Sequence, residues 1–180
     1  MAELSPDLTM ARRRGAGERP VRGDASAAAH GTDRLAGQAI RCGRLSLAWP
    51  EGVARAVIDC PPLSAVPHAA RWLAGAAHID GRIVPVLDLA AWFVPGGPTS
   101  SAGSSARLLL LGDGDETSAI LFEGLPREVQ LTAADPGEAL GCEPALSPFV
   151  IGYAEDDPAT WMLDHLALMQ ALQARLGEGN

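Results

Sequence analysis

His78 and Asp80 come nearest to catalysis by residue type and spacing in this 180-residue chain. Two positions apart on a strand, they would face the same side, as a base and its orienting carboxylate do. Such a pair needs a nucleophile, yet the nearby serines sit in the 99–105 segment without a Gly-x-Ser-x-Gly elbow. An exposed polar turn is the simpler reading; a small hydrolase using His78 and Asp80 is the enzymatic alternative. Asp113, Asp115 and Glu116 hint at a cation site but lack the ligand spacing of a calcium loop, and an acidic hairpin turn is commoner. Glu155-Asp156-Asp157-Pro158 reads as a solvated turn. Cys42, Cys60 and Cys142 are odd in number and far apart, with no Cys-x-x-Cys pair, and His68 and His165 have no ligand-spaced companion. The expectation is three reduced thiols acting as small hydrophobes, no metal and no cofactor.

The elements that would position these residues are short strands. Leu45, Leu47 and Trp49 alternate with Ser46 and Ala48, the period of a half-buried strand, and a second strand is expected over Val53 to Ile58 after the turn Pro50-Glu51-Gly52. Pro61-Pro62 breaks the sheet. Asp80-Gly81 supplies the positive φ angles of a tight type I′ turn, with a strand leaving it over Arg82 to Val86. Asp88 caps a short helix carrying Leu89, Trp92 and Phe93, which Pro95 ends. After the glycine- and serine-rich stretch 95–105, strands are expected at Leu108–Leu111 and Ala119–Phe122, around Val129 and Leu131, where Phe149, Ile151 and Tyr153 alternate, and at Trp161–Leu163. Asp164 opens a C-terminal helix with Leu166, Met169, Leu172 and Leu176 near helical spacing. Many short strands with only short helices predict an all-β protein built from small barrels.

Composition excludes several function classes. The chain carries 14 basic residues, all arginine, against 22 acids. Residues 1–37 hold six arginines and five acids, leaving eight arginines against 17 acids beyond them, so the folded part is strongly acidic. Nucleic acid and anionic membrane surfaces are therefore poor partners. Residues 1–37 lack an apolar stripe and predict a disordered tail, with Arg12-Arg13-Arg14 as a solvated cluster, and residues 38–180 the folded domain. No apolar run approaches the roughly 18 residues of a membrane span. A cytoplasmic location follows, without direct membrane insertion.

The stretch 72–89, WLAGAAHIDGRIVPVLDL, resembles the central signature of CheW-like domains: a glycine, a short strand, a tight turn at glycine, and an apolar strand ending Pro-Val-x-Asp-Leu. Gly75, Gly81, Pro85, Val86, Asp88 and Leu89 occupy those positions, and weaker agreement extends through Val66-Pro67, Arg107–Leu111, Ala119–Leu125, Phe149–Gly152 and Leu163-Asp164. The chain also looks like the subgroup attached to type IV pilus signalling, and the resemblance implies two five-stranded SH3-like barrels sharing a hydrophobic interface. It also implies a non-enzymatic adaptor, working at membrane-associated receptor arrays, between a chemoreceptor's cytoplasmic tip and the regulatory domain of a CheA-type histidine kinase. Two charges depart from the family pattern. The usual Asn-x-Arg-Gly turn, whose arginine serves receptor coupling, is here His78-Ile79-Asp80-Gly81; and the acid near the kinase-facing edge of the second strand is replaced by Ala54 and Arg55. The expected partner-binding set is Arg55, His78, Ile79, Asp80 and Gly81. The departures leave open a diverged regulator with another signalling partner, because like charges juxtaposed at an interface exclude a partner.

Overall fold

The computed structural model describes residues 34–97, 100, 105–134 and 141–178. Among them nine strands form one sheet: β1 (Arg34–Cys42), β2 (Leu45–Pro50), β3 (Ala54–Asp59), β4 (Leu73–Ile79), β5 (Arg82–Leu87), β6 (Ala106–Leu111), β7 (Ser118–Ala133), β8 (Val150–Ala154) and β9 (Asp157–Leu163). Two α-helices accompany them, α1 (Leu89–Phe93) and α2 (His165–Glu178). The protein is thus mostly β with few short helices, as the strand-rich sequence predicts.

β7 organises the sheet. Its first residues pair with β6 and, in parallel, with β5; its later residues pair with β1 and β8. The handover falls at Gly124, with φ of +80°, opposite an irregularity in β1 between Ala39 and Arg41. That interruption admits Pro126, which has no N–H to give to a regular ladder. The two segments expected at Ala119–Phe122 and around Val129 are therefore one continuous strand.

On one side of this handover the pairings close on themselves: β1 with β2, β2 in parallel with β9, β9 with β8, β8 with β7, and β7 with β1. On the other side the run β3–β6–β7–β5–β4 stays open, since among the described residues β3 pairs only with β6 and β4 only with β5. An isolated bridge, Ser64 to Ala76, ties the connection after β3 to the edge of β4.

Three apolar clusters follow from alternation. Leu108 and Leu110 of β6 point into the open unit with Val84, Val86 and Leu121, while Leu109 and Leu111 point the other way into the largest cluster. A strand buried on both faces reads as a continuous apolar run, which is what Leu108–Leu111 is. The largest cluster joins residues of both units: Leu47, Trp49, Phe122 and Leu163 meet Leu87, Leu89 and Phe93 there, with Leu168 and Leu172 of α2. The closed unit keeps a small interior of Ala39, Ala48, Val129, Leu131, Ala154 and Met162.

Three expectations need correction. Residues 34–37 of the expected tail are paired in β1, and residues 1–33 lie outside the described residues. In β8 the inward positions are Val150, Gly152 and Ala154, while Ile151 is exposed; a Cβ on Gly152 would lie 2.2 Å from the Thr132 carbonyl oxygen, so no larger side chain fits that face. In α2 the buried residues among those whose side chains are described are Leu168 and Leu172, and Leu166 is 62% exposed because it lies on the opposite face.

Candidate partner-binding site

The β4–β5 hairpin is anchored by Ala77, Val84 and Val86 in the open unit's core, which leaves His78, Asp80 and Gly81 at the surface. Asp80 and Gly81 have φ of 51° and 77°, the two positive angles expected of the tight turn. Aspartate tolerates this region better than most residues because its short side chain bonds locally.

Proline fixes which backbone groups face outward. Ala76 stands opposite Pro85, which has no N–H, and turns its own N–H and C=O away from β5 to exchange bonds of 2.9 and 2.8 Å with Ser64. By strand alternation His78, two residues on, presents its backbone to the same side. Continuing the Ser64–Ala76 register would set Pro62 opposite His78, and proline cannot donate there. On β3 the Cys60 N–H bonds to the Ala106 carbonyl at 3.1 Å, so Cys60 and Ile58 face β6 while Val57 and Asp59 face away from it. Two strand edges thus border the gap in the open unit.

A groove of about 340 Å³ fills that gap, with Arg55, Ile58 and Asp59 on one side, His78, Ile79 and Asp80 on the other, and Leu110 beneath. Four of the five residues expected at the partner surface line it, and the fifth, Gly81, completes the adjoining turn. Ile58, Asp59 and Leu110 were not singled out from sequence; that β3 is an edge, the one signal for them, depends on pairings remote in the chain. Arg55 Nε lies 3.8 Å from the Asp113 carboxylate, but both side chains are well exposed, and such a pair contributes only about 0–1 kcal/mol. The Asp59 carboxylate accepts from Arg107 at 3.1 Å. Asp80 has no ion-pair partner among the described residues. The groove therefore offers one cation, one uncompensated carboxylate, an imidazole and an apolar floor.

The geometry does not support a base with its orienting acid. Asp80 lies beyond the end of β4 in a left-handed conformation, so the same-face relation of a strand is lost, and no hydrogen bond joins it to His78. The Cys42 thiol is fully buried, donates to the Leu121 carbonyl and is pushed far up, by burial first and then by the nearby Asp88 and Glu123 carboxylates. Burial raises Cys60 as well. Neither is a poised thiolate. The acidic turn at Asp113–Glu116 is solvent-facing, and among the described residues no group of three or more His, Cys, Asp or Glu side chains could hold a metal. No helix among them is long and apolar enough to cross a membrane.

Asp88 does more than cap. Its Oδ1 accepts from the Ala90 and Ala91 N–H groups at 3.0 and 3.2 Å, and its Oδ2 from the Ser100 N–H at 2.9 Å. The signature aspartate thus fixes the end of β5, the start of α1 and the backbone at Ser100 together, and is only 2% exposed.

The CheW-like domain family profile matches residues 37–173, covering the closed unit, the open unit and most of α2. The chain belongs to the CheW-like domain family. Among solved structures it is similar to the scaffolding protein TtCheW from Thermoanaerobacter tengcongensis, at 12% identity with a TM-score of 0.58, over 76% of this chain and 88% of that one. No curated protein gives a significant match to the sequence. At that identity the likeness to TtCheW speaks for the fold alone. Within this CheW-like domain, the signature stretch is the β4–β5 hairpin with the cap of α1.

Proposed function

We propose that this CheW-like domain is a non-catalytic adaptor that couples a chemoreceptor's cytoplasmic tip to the regulatory domain of a CheA-type histidine kinase. Its two five-strand units are read as SH3-like barrels, the closed one complete and the open one splayed between β3 and β4. One observation carries the reading: Arg55 of β3 and His78, Ile79 and Asp80 of the β4–β5 hairpin, far apart in sequence, line a single groove. A cytoplasmic location at receptor arrays accords with it, and the acidic chain suits protein partners better than nucleic acid.

The charge in the groove favours a second reading. Where the family turn carries arginine this chain has Asp80, and Arg55 stands where an acid is usual, so a standard partner would meet like charges at both points. A dedicated receptor and kinase with matching charges, or a different signalling partner, would satisfy the groove. Calorimetric titration of the protein with the kinase regulatory domain and with a receptor tip from its own source tests this. Binding of both is expected. Binding of neither would leave the diverged regulator.

A further inference from the structure

The two strand edges that border the Arg55–Asp80 groove carry backbone groups left unused by the rest of the described residues. On β3 the register alternates, so Ile58 and Cys60 turn their N–H and C=O toward β6 while those of Val57 and Asp59 point the other way. Among the described residues no strand lies on that side, and no backbone bond reaches Val57 or Asp59 from there. On β4 His78 presents its N–H and C=O to the gap, beyond the last bonds that Ala76 exchanges with Ser64. Side chains alternate as well. Ala56, Ile58 and Leu110 turn onto the open unit's core, and Ile79 of β4 joins them from the other side of the groove. Asp80 adds a carboxylate with no ion-pair partner among the described residues.

We propose that a partner protein lays an extended segment along the outward edge of β3, where it becomes a sixth strand of the open unit and fills the groove. Strand addition rests on the groove being the partner surface, and it fixes the form of what enters. A helix satisfies its own backbone and would leave the outward groups of Val57 and Asp59 to water, whereas an extended chain pairs with them directly. Every second side chain of the added segment then points onto Ile58, Ile79 and Leu110, so those positions are apolar, and β-branched residues suit them. A lysine or arginine where the segment passes Asp80 meets the unpaired carboxylate. Backbone pairing supplies the affinity, and the alternating side chains with the one cation supply the choice of partner.

The test is selection of a displayed random-peptide library on the immobilised full-length protein, then calorimetry and amide hydrogen exchange with synthetic peptides from the enriched pool. Alternating apolar residues with a lysine or arginine are expected, and bound peptide should slow exchange at the Val57 and Asp59 amides. Asp59→Pro removes one outward N–H at an edge position that tolerates proline, while Asp59→Ala removes only the side chain. Peptides should bind the proline variant about tenfold or more weakly than the alanine variant, because a partner carbonyl loses its donor; circular dichroism confirms that both fold. Methylating alternate peptide amides should produce the same loss with the protein untouched. Equal binding to the two variants, indifference to methylation, or a pool lacking either the alternation or the cation would overturn strand addition. So would self-association of the wild type that Asp59→Pro abolishes, which makes a second copy the occupant. If the kinase regulatory domain and receptor tip bind both variants equally, strand addition fails and the coupling reading stands. If peptides pair with the edge while neither protein binds, the coupling reading fails and strand addition stands.

Discussion

The closed and open units are built from equal numbers of strands around the same β7, yet they differ in what they leave exposed. In the closed unit the pairings return to their start, so its ring leaves no free strand edge, and its interior is tight enough to require glycine at Gly152 and at Gly37, where a Cβ would lie 2.3 Å from Leu131 Cδ1 and 2.6 Å from the Trp49 carbonyl oxygen. In the open unit Pro61-Pro62 ends the connection's contact with β4, and two edges face a groove. An unpaired edge is a liability for aggregation, and here charge and proline limit it. Closure therefore spends its residues on fit, while the unit that stays open leaves a groove lined by charged and apolar side chains at its surface.

The comparison breaks most directly if the units are energetically separate. Phe122 lies on β7 in the cluster that both units share and is fully buried, so Phe122→Ala should cost about 4 kcal/mol of stability. Because the cluster is common, the loss should appear as one transition, with tryptophan fluorescence and far-ultraviolet circular dichroism giving the same midpoint in a denaturant titration. Two separated midpoints would show that the units unfold independently and that β7 links them without coupling them.

A smaller effect sharpens the contrast between tight closure and loose edge. Gly152→Ala places a methyl 2.2 Å from the Thr132 carbonyl oxygen and 2.5 Å from Met162 Cε, so β8 or β7 must shift, at about 2 kcal/mol or more. Gly81→Ala in the open unit's turn meets nothing within 4 Å, and its cost is the conformational one alone, at a φ of 77°, about 1 kcal/mol. Melting curves of the two variants should rank in that order. Equal costs would mean that the closed interior relaxes as readily as an exposed turn.

Legibility in the sequence divides along similar lines. The phase of β2, the Asp80-Gly81 turn and the caps at Asp88 and Asp164 were readable because each rests on local chemistry: side-chain alternation, positive φ, or a carboxylate reaching N–H groups two and three residues on. The phase of β8 is hidden because alternating large side chains mark an inward face only where the interior is roomy, and the closed unit admits only Val150, Gly152 and Ala154. The parallel pairings of β2 with β9 and of β5 with β7 join segments remote in the chain and leave no local signal. The groove inherits that difficulty. Its hairpin side was legible from the turn, but that Arg55 lies across from it depends on β3 crossing to β6, and only the family resemblance put the two together.

The smallest expected change in stability decides the most about function. Asp80 serves the turn, where its φ of 51° suits Asp, Asn or Gly, and it also supplies the groove's unpaired carboxylate. Asp80→Asn keeps the turn and removes the charge, so its melting temperature should match the wild type; Asp80→Arg adds a cation at a left-handed position and should lose about 1 kcal/mol. Affinity for the protein's own partner separates the two roles. If the carboxylate meets a cation on that partner, Asn should weaken binding and Arg should weaken it further, since Arg turns attraction into repulsion. A partner with the family's usual charges would instead bind the Arg variant more tightly. If neither substitution moves the affinity, Asp80 belongs to the turn alone, and the difference between the closed and open units becomes one of architecture, with the partner surface to be sought away from the gap between β3 and β4.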